Sequence, residues 1–108
     1  MMKTKRRQDT LIVPLSGEID HCSAQQLREE LEALLRDPAI RHLILDFTAV
    51  SFMDSSGIGM IIGRYKTMKA RGGRVSAMGL HPPVDRLFHM AGLHRIIGLE
   101  PTERQENA

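Results

Sequence analysis

The residues best placed to do chemistry are Ser55 and Ser56, a hydroxyl pair that follows Asp54 where a strand-like run gives way to helical spacing. Upstream, Leu43-Ile44-Leu45-Asp46-Phe47 is a near-continuous apolar run; downstream, Ile58, Ile61, Ile62 and Tyr65 recur with the period of a helix. The two serines therefore fall at the N-cap and first turn, where backbone N–H groups lack an intrahelical partner. A phosphate at that place meets the positive end of the helix dipole and leaves the helix intact, so the pair suits a phosphoserine switch. Serine is also among the commonest N-caps, and one serine alone would signify only that.

Other chemistries find little support. Asp54-Ser55-Ser56-Gly57 is no nucleophile elbow, because that turn needs a glycine two residues before the serine and Met53 stands there. Gly57-Ile58-Gly59 lacks both the third glycine of a dinucleotide fingerprint and the lysine of a P-loop. The five histidines, His21, His42, His81, His89 and His94, offer no ligand spacing with each other or with cysteine, so no metal site is expected. Only His21 lies beside a candidate functional loop, as a surface contact rather than a proton carrier. Asp20 and Asp54 fit two roles, flanking the Ser55 hydroxyl from adjacent strand ends or simply capping turns. Arg64 and Lys66 read as a solvated helix face or as a contact for an acidic partner.

The elements that position these groups follow from the apolar period. Residues 10–15 read as a strand, closed by turn residues at 16–20. Ser23, with Gln26 as its capping-box partner, opens a helix through Leu27, Leu31, Leu34 and Leu35 to about Arg36. Residues 43–47 read as a central strand covered on both faces. The second helix spans residues 56–70 and stops at Gly72-Gly73. Within it Gly59 and Gly63 share a face, each at a helical penalty of about 1 kcal/mol; close packing on the sheet is the first reading and access for a partner the second. Residues 74–78 form a strand, Pro82-Pro83 opens a third helix carrying Val84, Leu87 and Phe88, and residues 93–99 close the pattern. The order β-α-β-α-β-α-β predicts an α/β domain, a small and largely parallel sheet with helices packed against it; an extra N-terminal strand makes it mixed. Function in such sheets gathers beyond the carboxyl ends of the strands, here in the segments 17–23 and 53–57.

At 108 residues the chain suits one domain. With 42% hydrophobic and 26% charged residues, and 15 basic against 13 acidic groups, it has the composition of an ordinary soluble protein. Lys3, Lys5, Arg6 and Arg7 cluster at the N-terminus, and residues 1–9 read as a flexible, solvated basic segment. No basic face with interleaved aromatics suggests a nucleic-acid partner. Cys22 is the only cysteine, which points to a reducing compartment. No run approaches the roughly 20 apolar residues of a membrane span, and no cleavage signal follows the N-terminal charges. The expected location is the cytoplasm, without a membrane partner.

Four blocks in order carry a resemblance: Gly17-Glu18-Ile19-Asp20, Ser51-Phe52-Met53-Asp54-Ser55-Ser56-Gly57-Ile58-Gly59, Gly63-Arg64-Tyr65-Lys66, and Arg86-Leu87-Phe88-His89-Met90-Ala91-Gly92-Leu93. Together the chain resembles the STAS-domain anti-sigma factor antagonists, or anti-anti-sigma factors, most closely their sporulation branch that antagonises the anti-sigma F factor. The resemblance covers nearly the whole chain and implies a single STAS domain at residues 1–108. It implies a binding protein and no enzyme: the unmodified form engages an anti-sigma factor that is also a serine kinase and frees its sigma factor, and phosphorylation ends that engagement. It places the phosphoacceptor at Ser55, the serine directly after the aspartate, and the partner surface at Asp20, His21, Asp54, Ser56, Gly57 and Gly59. No cofactor of the chain's own is implied; ATP or ADP belongs to the kinase, and a phosphoserine phosphatase restores the active form. The alternative is a STAS interaction module of a stress-signalling or lipid-transport complex, not itself phosphorylated. Relatives continue past residues 101–108 with apolar residues, whereas here this segment reads as a polar tail or short helix.

Overall fold

Among the described residues five strands and three helices form where the apolar period changes: β1 (Lys5–Arg7), β2 (Thr10–Ile19), α1 (His21–Leu34), β3 (His42–Met53), α2 (Ser55–Ala70), β4 (Arg74–Met78), α3 (Pro82–Met90) and β5 (Gly98–Leu99), with a 3₁₀ turn at Leu93–Arg95. The computed structural model describes residues 3–101. The strands lie side by side in chain order, β1 antiparallel to β2 and every later pair parallel, so the sheet is mixed. With crossovers of one hand, an unbroken order brings every helix to the same face. On that face Leu11, Val13 and Leu15 of β2, Leu43, Leu45 and Phe47 of β3, and Val75 and Ala77 of β4 alternate inward. They meet Leu31 of α1, Ile61 and Met68 of α2, and Phe88 of α3 in one core. Phe47 and Phe88 touch edge to face with ring centres 5.6 Å apart. Ile44, on the opposite face by alternation, is buried too; the central strand is covered on both sides as expected, but the helices supply only one cover.

β2 and β3 run further than predicted. Segment 16–20, expected as a turn, continues pairing: Ser16 lies beside Ala49 and Ile19 beside Met53, after register shifts at Pro14/Ser16 and Gly17/Glu18. Gly17, at φ +75°, takes a left-handed conformation that lets the strand bend there and resume. Both strands consequently finish at the same level. At the other end of α2, Gly73 N–H donates to Met68 O at 2.7 Å and Gly72 N–H to Lys69 O at 3.0 Å, with Gly72 at φ +76°, a Schellman stop where Gly72-Gly73 predicts one. The basic terminus departs from its expected flexibility: Lys5–Arg7 pairs with β2, and Arg6 bonds Asp37 at 3.0 Å, although the side chains stay exposed. Residues 102–108, most of the expected polar tail, lie outside the described residues.

Candidate functional site

Each of the two long strands ends at an aspartate that starts a helix. Because Ile19 and Met53 are register partners, and Asp54 N–H donates to Ile19 O at 3.1 Å, Asp20 and Asp54 leave the sheet next to each other. Asp20 caps α1: its Oδ1 accepts from Ser23 N–H at 3.0 Å, while Ser23 Oγ accepts from Asp20 N–H at 2.9 Å. The capping box is thus one turn earlier than predicted, with Ser23 as the third-residue partner instead of the cap; the charged, short aspartate takes the position where the helix dipole rewards it most. Hydrogen bonding from Ser23 N–H holds the Asp20 carboxyl below its ordinary pKa. Asp54 caps α2, its Oδ1 accepting from Ser56 N–H at 2.8 Å. Of the two roles open to these aspartates, capping is the one they fill, and among the described residues no hydrogen bond joins either to the Ser55 hydroxyl.

That arrangement leaves Ser55 free. It is the first residue of α2, exposed, with its hydroxyl outside the capping network. Ser56, half-buried, has its N–H spent on the cap. His21 holds the equivalent first position of α1 and is exposed. His21 and Ser56 come together along one groove between the two helices, joined there by Gln25 and Arg28. Ser55 thus stands at a helix N-terminus, directly after one cap aspartate and on the strand end that neighbours the other, and no hydrogen bond of the fold rests on its hydroxyl.

The glycines divide in a way the sequence does not show. A side chain at Gly57 would overlap the Met53 side chain and meet Ile19 Cγ2 at 3.1 Å, so Gly57 is buried by close packing and leaves the expected partner surface. At Gly59 and Gly63 nothing lies within 4 Å of such a group, which overturns close packing as their reason. Gly59 is exposed one turn into α2 and stays on the candidate surface. Arg64 is also corrected. It is 5% exposed, donating to Arg28 O at 3.3 Å and Glu32 Oε2 at 3.3 Å, and so ties α2 to α1 instead of solvating a face. Lys66 is exposed.

Sequence reasoning missed Phe52, which is 49% exposed two residues before the cap of α2. A break in alternation at the end of β3 is the only signal for it, since Ser51 and Phe52 are both exposed before Met53 turns inward. It missed Arg28 as well, whose place on the groove depends on how α1 meets α2. Among the described residues no cluster of histidine, cysteine or carboxylate groups has the arrangement of a metal site, and no helix is long and apolar enough to cross a membrane.

Comparison with known proteins places this geometry. The STAS domain family model matches residues 1–106, and the chain belongs to that family. It is 35% identical over 102 residues to an anti-sigma F factor antagonist of Paenibacillus polymyxa, covering 94% of this chain and 87% of the relative. It is 37% identical over 95 residues to an anti-sigma-B factor antagonist of Bacillus subtilis, covering 88% and 85%. Among solved structures, the anti-sigma factor antagonist SpoIIAA in its unphosphorylated form superposes with a TM-score of 0.82 at 28% identity, over 99% of this chain and 92% of the other. The Bacillus cell fate determinant SpoIIAA in the phosphorylated form does so at 0.75 and 27%, over 99% and 96%.

Proposed function

We propose that the chain is an anti-sigma factor antagonist whose unmodified form docks, with the face around Ser55, onto an anti-sigma factor that is also a serine kinase. Docking frees the sigma factor, and transfer of phosphate to Ser55 ends it. The observation that carries this reading is the exposed, unbonded Ser55 hydroxyl at the start of α2, beside cap carboxylates that are already committed. The relatives' names support the antagonist role, and a phosphorylated SpoIIAA of the same fold supports the modification. Phosphate brings a charge of about −1.5 to −2 next to Asp54 and near Asp20, so an interface closed over this point meets like-charge repulsion and desolvation. A loss of about 3 kcal/mol in binding already exceeds a hundredfold in affinity. Nucleotide and metal come with the kinase, and this chain's part is to present an acceptor.

The test mixes the chain with kinase anti-sigma factors and ATP and maps phosphate by mass spectrometry. One phosphate at Ser55, absent in Ser55→Ala, is expected. Phosphate at Ser56 in its place would overturn the acceptor assignment, and stable binding with no phosphate would favour an unmodified interaction module.

A further inference from the structure

The groove between α1 and α2 is lined by His21, Ala24, Gln25 and Arg28 from one helix and Ser56 and Met60 from the other. Its charge is one-sided. No carboxylate lines it, and the Arg28 side chain has no hydrogen bond or ion pair among the described residues. Arg64 lies buried behind the groove, and Arg28 repels its charge. Glu32, one turn along α1 from Arg28, accepts from Arg64, whose Nε still lacks a partner. An uncompensated guanidinium at the wall of a groove, beside a second one, favours an anion there.

Size narrows the occupant. The groove holds about 200 Å³, below the roughly 300–1,000 Å³ of small-molecule sites, so it suits one inserted side chain. Its position narrows it again, because Ser56 is both a wall of the groove and the neighbour of Ser55. We propose that the groove receives a glutamate or aspartate side chain of the protein that docks over Ser55, with Arg28 as its counter-charge. The inference rests on the docking role proposed above and adds the chemistry of the contact.

The test measures affinity of the ADP-bound kinase anti-sigma factor for the unmodified chain and for Arg28→Glu, Lys66→Glu and Ser55→Asp. Arg28→Glu is expected to bind about tenfold more weakly or worse, with much of the salt dependence gone. Lys66→Glu makes the same change in net charge on an exposed position outside the groove and is expected to stay within about twofold. Arg28→Gln, which removes the charge without reversing it, repeats the readout if the first variant folds poorly. Arg28→Glu at wild-type affinity, or Lys66→Glu weakened equally, overturns the groove while a loss in Ser55→Asp keeps the docking face. An undiminished Ser55→Asp, or a wild-type chain that does not bind, overturns the docking role itself.

Discussion

Gly57 and Gly59, two residues apart on α2, are expected to respond in opposite ways to the same substitution. Alanine at Gly57 forces a methyl group into Met53 and Ile19 and is expected to destabilise the fold by about 1–3 kcal/mol, the usual cost of overpacking. Alanine at Gly59 meets open space and should stabilise by about 0.5–1 kcal/mol through the entropy that glycine otherwise loses in a helix. Urea denaturation of both variants checks the pair, and a destabilised Gly59→Ala would return close packing as its explanation. If Gly59 is bare so that a partner can approach, the same stabilised variant should dock less well. The sequence could locate both glycines but not tell them apart, because helical spacing fixes which residues share a face and says nothing of what stands opposite. Ser55 is legible at the right helix end but one position off: helical spacing makes it the cap, whereas Asp54 takes that place and leaves Ser55 as the exposed first residue of α2.

At the level of strands and helices, the parts with strong local signals were legible: β4 at Arg74–Met78, the start of α3 at Pro82, and the glycine stop after α2. The parts that depend on pairing were not. The last residues of β2 look like a turn because Ser16-Gly17-Glu18 is turn chemistry, and only β3 alongside makes them strand. Arg64 reads as a surface residue from its type, and only α1 across from it supplies Arg28 O and Glu32. His42 is a third case, silent in sequence. It opens β3, buried, with Nε2 2.7 Å from Ser76 Oγ on β4, and Arg74 Nη2 3.4 Å from Nδ1. A guanidinium only donates, so Nδ1 accepts and Nε2 carries the proton toward Ser76. Burial, with Arg74 adding to it, lowers the His42 pKa, against a weaker pull from Glu100 and Asp9. The unfolded chain protonates His42 near pH 6.5 while the fold resists, so this contribution is complete above that pH and declines as pH falls toward the lower folded value. Stability followed from pH 8 to 5 should show that decline, reduced in His42→Leu/Ser76→Ala; an unchanged slope in the double variant would remove His42 as its source.

For the molecule as a whole, sheet order, a one-sided helix layer and strands that end together place α1 and α2 with their N-termini abreast. The scaffold therefore presents a finished surface, and a switch on it need only change charge. Phosphate at the first residue of α2 sits where the helix dipole favours an anion, so modification should leave the fold as stable as before. The decisive measurement is calorimetric titration of the ADP-bound kinase anti-sigma factor with the unmodified chain and with the chain stoichiometrically phosphorylated at Ser55, each checked for unchanged thermal unfolding. The account requires affinity to fall more than a hundredfold with no loss of thermal stability. Equal affinity of the two forms, or a phosphorylated chain that has partly unfolded, would contradict it.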